Sequence, residues 1–225
     1  MLELIVAAVA FVGWHVGVSS TALRGTLVGW LGEKLYISLF SLVTLALLLF
    51  LIYSYRAVPH SEFLWAPSSA SRWVAILVMP VALILLVGGL MSPNPTLVGR
   101  ESTAAAFEQG KGMLRVTRHG FLWATFLWAF AHMIANPDLA SLLFFGSFGV
   151  LALLGTVLID RKKALSLGEN WPHFSRVTSN VPCAAILGGR NRLQPTELWP
   201  SVVIGLALYA VLLWGHVWVS GVPLF

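Results

Sequence analysis

Long apolar runs constrain this chain more than any other feature. In LWATFLWAFAHMIAN, residues 122–136, the single titratable side chain is His132. Six runs approach the ~20 residues a helix needs to cross ~30 Å of hydrocarbon: about 2–22, 36–55, 73–92, 119–136, 139–159 and 200–219. A segment inside a bilayer must satisfy its own backbone N–H and C=O groups, so each run predicts a helix. The ~10-residue alternating segments of a transmembrane barrel are absent from the sequence. The expected fold class is all-α: a polytopic membrane helix bundle of about six transmembrane helices, one domain over 1–225. Hydrophobic residues make up 58% of the chain and charged ones 10%, where a soluble domain carries roughly a quarter charged. The first run opens with Glu3 rather than a basic region and has no small-x-small cleavage site, so it reads as a retained helix and not a signal peptide.

The net charge of +5 could suggest nucleic acid, but its distribution points to a bilayer. With six spans, the connections at about 23–35, 93–118 and 160–199 share one side. They carry twelve Lys and Arg residues, from Arg24 through Arg100 to Arg192, and the other side holds only Arg56 and Arg72. That asymmetry predicts a basic cytoplasmic side, with both termini outside the cytoplasm in a cell inner membrane. Contact with anionic lipid is a secondary expectation. One cysteine, Cys183, excludes an internal disulfide, a CxxC pair and a four-cysteine metal site.

Asn136, Pro137 and Asp138 supply turn chemistry between two apolar runs and predict a tight hairpin. Pro80 should kink the third span. Two longer segments, about 93–118 and 160–199, mix basic, aromatic and aliphatic residues and read as ordered caps over one mouth of the bundle. Trp171 and Phe174 would suit an interfacial helix there.

Of the six histidines, His60 lies in a Pro-His-Ser-Glu loop, where solvent exposure explains it, and His173 falls in the second cap. His15, His119, His132 and His216 lie in or at the ends of spans. In a helix, Phe11, Val12, Val18 and Ser19 flank His15, and Gly13 and Gly17 form a small-xxx-small seam on the opposite face. His132 has Trp128, Ala129, Ala135 and Asn136 beside it. Two membrane histidines on different helices fit bis-histidine haem ligation, a proton relay, or interhelical hydrogen bonds. On these boundaries His15 sits ~5 Å to the cytoplasmic side of its helix centre and His132 ~7 Å to the other, and His216 is a rival partner for His132. His119 ends RVTRH beside Arg118 and suits either interfacial snorkelling or an anion or head-group site. The spans lack the carboxylate chain of a typical proton pump and an inverted repeat of interrupted helices. Neither a P-loop nor a GxSxG is present.

HVGVSS, LGEKLYISLFSLV, PNPTLVGRE, LRVTRHGFLWATFLWAFAHMIANPDLASLLFFG, GTVLIDRKK and ENWPHFSRVTSNVPCAAIL, in that order, resemble the NnrU family over about residues 1–190. The family takes its name from association with nitrite and nitric oxide reduction (denitrification) genes, so the resemblance implies a link to nitrogen-oxide metabolism. The same motifs are more distantly similar to the 15-cis-zeta-carotene isomerases, membrane haem b proteins. That similarity implies His15 and His132 as iron ligands of haem b, with Arg118 and His119 at a propionate or substrate, and it makes redox-gated isomerisation the precedent if the chain is an enzyme. Two departures stand out. Ala129 occupies the place of the isomerases' cysteine, and Gly120 replaces the family's usual proline after TRH, loosening the helix start. A non-catalytic assembly or support protein for nitrogen-oxide reductases is the alternative reading. RVTRHG, DRKK and GENWPHFSRVTSNVP also resemble membrane methyltransferases, which would turn Arg118, His119, Asp160 and Glu169 toward S-adenosylmethionine. That reading is weakened by the missing proline and by Asp160-Arg161 where those enzymes have paired acids.

Overall fold

The structure, a computed structural model, describes residues 1–97 and 110–222. Nine α-helices follow in order among these residues: α1 Leu2–Ser19, α2 Ala22–Leu31, α3 Glu33–Ala57, α4 Ser69–Met91, α5 Gly120–Ala135, α6 Leu139–Ser166, α7 Asn170–Val177, α8 Ala184–Leu187 and α9 Pro195–Ser220, with a 3-10 turn at Gly112–Arg115 before α5. The β structure among them is one isolated bridge, Phe63 to Asp138. Five helices, α1, α3, α4, α6 and α9, are long and apolar enough to cross a membrane. The chain is a multi-pass helical membrane protein.

The fourth expected span is the exception. α5 has 16 residues, ~24 Å at 1.5 Å per residue, short of the hydrocarbon. Its N-cap His119 has a non-helical backbone (φ −117°, ψ 42°), and at its other end Asn136-Pro137 stops it. α6 is the reverse: 28 residues, ~42 Å, so it continues past the expected end at 159 and carries Asp160 on helical backbone. Each start has a local cause. Ser68 and Ser71 form a reciprocal capping box at α4, the Asp138 side chain accepts from the Ser141 N–H at α6, and Pro195 opens α9. α4 stays helical through Pro80. α2, unanticipated, fills the first basic connection. Of the first expected cap, residues 98–109, Arg100 among them, lie outside the described residues.

Between membrane helices lipid competes on equal terms with apolar side chains, so close backbone approach does much of the packing. Gly13 and Gly17 do not provide it: a Cβ at either would meet nothing within 4 Å. The close contact is between α4 and α5. A Cβ on Gly89 would lie 2.7 Å from the Phe121 nitrogen, and one on Gly120 2.8 Å from the Leu85 oxygen and 2.9 Å from the Gly89 Cα. Gly120 is thus required by contact, and a proline ring there would meet the same backbone. Gly205 places α9 on α4 in the same way, 2.8 Å from the Ile84 Cα. On the other side Leu4, Ala7, Ala8 and Phe11 of α1 pack with Leu51, Ala129, Ala140, Phe144 and Phe145.

Ion pairs tie down the basic end. Arg115 meets Glu197 through two bonds of 2.8 Å and gives a third to the Asn191 side chain at 2.7 Å. Arg190 donates to the carbonyls of Ser175, Arg176 and Thr178, closing the C-terminal turn of α7. Phe174 is fully buried against Leu114, so α7 turns its aromatic side inward rather than toward lipid as its composition suggested. At the opposite end, the Leu64 N–H donates to the Pro137 oxygen (2.7 Å) and the Leu139 N–H to the Glu62 oxygen (3.2 Å).

Because overpacking costs about 1–3 kcal/mol, Gly120→Ala and Gly89→Ala should each lower unfolding stability in detergent by that amount. Gly29→Ala, with nothing within 4 Å, should leave it unchanged or raise it.

Candidate functional site

α1, α4, α5 and α6, with Leu212 of α9, line a half-open cavity of about 620 Å³. Its walls are almost wholly apolar: Phe11 and Val16 of α1, Ala82, Leu83 and Leu86 of α4, Phe121 and Trp128 of α5, Phe148 and Leu151 of α6. The polar side chains on it are His15, Ser19, Ser20 and Thr125. Ser19 donates back to the His15 oxygen and Thr125 to the Phe121 oxygen, each one turn earlier. His15 Nδ1 lies 2.7 Å from the Phe11 oxygen. A carbonyl only accepts, so Nδ1 carries the hydrogen, and in the neutral ring Nε2 then carries the lone pair. Among the described residues Nε2 has no hydrogen-bond partner. His15 is thus the one imidazole presented to this apolar space.

His132 is tied in the same manner, Nδ1 2.8 Å from the Trp128 oxygen, with its ring against Trp128 (5.4 Å between centroids) and Phe145 (5.0 Å). It is not on the cavity wall; Trp128, one turn earlier, is. Nor does it touch His15. The two rings are linked through Phe11, Phe148 and Trp128, at 4.6 Å from His15 to Phe11, 5.2 Å from Phe11 to Phe148 and 5.3 Å from Phe148 to Trp128. Phe11, Phe148 and Trp128 therefore mark a common level. His15 lies four residues, ~6 Å, beyond it toward the basic end, and His132 ~6 Å beyond it the other way. His216, at the far end of α9, bonds to Ser220 and to the Val222 oxygen, each at 3.0 Å, rather than to either histidine.

Arg118, His119 and Asp160 do come together at the basic end. Arg118 forks onto Asp160 (Nε to Oδ1 2.8 Å, Nη2 to Oδ2 2.5 Å), His119 Nε2 lies 2.7 Å from Oδ1, and Asn180 donates to Oδ2 at 3.1 Å. The Trp171 ring stands 5.2 Å from the Arg118 guanidinium carbon. The Arg118 carbonyl accepts from Asn94 at 2.7 Å and Thr96 at 3.3 Å. All three side chains are mostly buried, and the carboxylate's oxygens are taken up by these neighbours. Glu169 is exposed at the start of α7. This arrangement satisfies itself, and it stands just beyond Ile159, Leu158 and Phe121 of the cavity wall. No group of three or more potential metal ligands occurs among the described residues.

The sequence singled out His15 and the Arg118–His119 pair but gave no sign of the cavity. An apolar residue facing an internal space is indistinguishable in sequence from one facing lipid. It also missed the partner of His60, although Asp138 ahead of an apolar run carries the mark of a helix cap.

A 96-residue stretch is 34% identical to 15-cis-zeta-carotene isomerase, chloroplastic, of Arabidopsis thaliana, covering 41% of this chain and 25% of that protein. The chain therefore spans only about a quarter of that relative's length. No solved structure matches. A family model described as NnrU protein matches residues 3–224, past the point near 190 where the motifs end. The chain belongs to the NnrU family.

Proposed function

We propose that this protein binds haem b in the cavity between α1, α4, α5 and α6, with His15 as an iron ligand, and serves nitrogen-oxide metabolism from a cell inner membrane with its basic end in the cytoplasm. The observation that carries the reading is the His15 imidazole: its Nδ1–H is committed to the Phe11 carbonyl and its Nε2 lone pair is offered to about 620 Å³ of apolar space. A second partner fixing the tautomer is characteristic of metal-ligating histidines. The volume lies within the range of sites that enclose a cofactor. When bound, the group would supply a one-electron iron centre, usable in nitrogen-oxide chemistry or, on the precedent of the isomerase relative, in isomerising an apolar polyene.

The chain's own residues do the rest. Phe11, Trp128 and Phe148 offer flat apolar faces, and the aliphatic wall excludes water. Phe11 holds the ring of His15 both through its carbonyl and through its own ring. His132, its Nδ1 likewise bonded to the carbonyl one turn earlier, would be a second residue able to hold the iron, and only if the rings of Phe11, Phe148 and Trp128 yielded. Arg118 and His119, expected at a propionate, give their donors to Asp160 instead. In this reading they close the cavity's basic end and anchor the cap.

Detergent-purified protein expressed with ample haem should show a near-stoichiometric Soret band. His15→Ala should remove it, and His60→Ala should leave it intact. His132→Ala should retain haem, with an altered absorption spectrum if His132 also holds the iron. A colourless wild-type protein overturns the reading, and its co-purification with a reductase subunit would support an assembly role instead. Asp160→Asn should leave the Soret band in place while costing about 3 kcal/mol of stability, since it strands the Arg118 charge.

A further inference from the structure

At the end opposite the basic cap, His60 stands between two oxygens. Its Nδ1 is 3.0 Å from Asp138 Oδ1 and its Nε2 3.2 Å from the Tyr55 backbone oxygen. Neither oxygen has a hydrogen to give. The carboxylate accepts from the Ser141 N–H at 2.9 Å and from the Ser141 hydroxyl at 2.7 Å, and the carbonyl only accepts. A neutral imidazole has one N–H and can serve one of the two; the imidazolium serves both. We propose that His60, as a doubly donating imidazolium, is a pH-sensitive clasp that fastens the loop after α3 to the α5–α6 turn.

The surroundings support a switch. Burial pushes the Asp138 carboxyl up, but hydrogen bonds from Ser141 and the His60 pairing outweigh it and hold the group below the usual carboxylate range. From α3 the Tyr55 ring meets His60 edge-on at 4.7 Å, while its phenol pairs with the Ser141 hydroxyl at 2.9 Å. Arg56 and Glu62 flank the site in sequence, are exposed, and form no ion pair with it among the described residues. The imidazole is itself 39% exposed, so protons reach it from the aqueous phase.

The clasp reinforces two backbone hydrogen bonds, Leu64 to Pro137 and Leu139 to Glu62. Behind it, Tyr55 stacks on Phe144 at 4.4 Å, Phe144 packs on Phe145 at 5.0 Å, and Phe145 lies against His132 at 5.0 Å. Opening the clasp loosens the outer end of the ring stack that holds His132. The signs are opposite at the two ends of the pH range. Raising pH removes the imidazolium and one of its two bonds. Strong acid protonates Asp138 as pH falls through its depressed value, and the pairing is lost again.

The test uses the full chain in lipid nanodiscs with a nitroxide on Glu62→Cys, in a Cys183→Ser background. Across about pH 5 to 8, where imidazoles in general change charge, the label should pass from immobilised to mobile as pH rises. His60→Gln should be mobile throughout with no pH response. Asp138→Asn, which still caps α6, should also flatten the response. A wild-type label whose mobility is constant over this range, or an unchanged pH response in His60→Gln, overturns the proposal.

Discussion

The contact of Gly89 with Gly120 positions the element on which both ends of the molecule depend. In a bilayer the helices gain little from hiding apolar surface from one another, so α4 and α5 are held by the nearness of their backbones. That contact occurs at the first residue of α5. It fixes where His119 caps the helix, and hence where Arg118 and His119 meet Asp160 on the overlong α6. Sixteen residues later the same short helix delivers Asn136-Pro137-Asp138 to the loop that carries His60. Between the two ends it presents Trp128 to the cavity.

His15 and His132 illustrate how one local arrangement acquires two meanings. Each gives its Nδ1–H to the carbonyl one turn earlier, a bond the helix offers to any histidine of the right rotamer. What separates them is the surroundings. His15 faces open apolar volume, and His132 is packed between Trp128 and Phe145 behind the wall. An imidazole on the wall of an apolar cavity is open to a ligand; one packed behind aromatic rings needs a rearrangement first.

The polar networks at the two ends differ in what they leave to solvent. At the basic end Asp160 gathers an arginine, a histidine and an asparagine, all largely buried, and stacks its arginine against Trp171, which makes a fixed anchor for the cap. At the other end Asp138 is buried too, but its histidine is open to water, and the pairing joins the loop after α3 to the α5–α6 turn. Similar chemistry yields an anchor in one place and a proton-responsive joint in the other because the histidine's exposure differs.

The number and course of the apolar helices followed from the sequence, because hydrocarbon leaves a spanning backbone no alternative to satisfying itself. The hairpin at Asn136–Asp138, the basic end of the bundle and the family followed as well, since each rests on residues along the chain itself. Which glycines pack, Gly89, Gly120 and Gly205 rather than Gly13 and Gly17, did not. Nor did the cavity, the pairing of His60 with Asp138 across 78 positions, or the capture of Arg118 and His119 by Asp160. Those depend on which faces of different helices meet. In a chain where lipid-facing and cavity-facing residues are equally apolar, only the tertiary structure distinguishes one face from another.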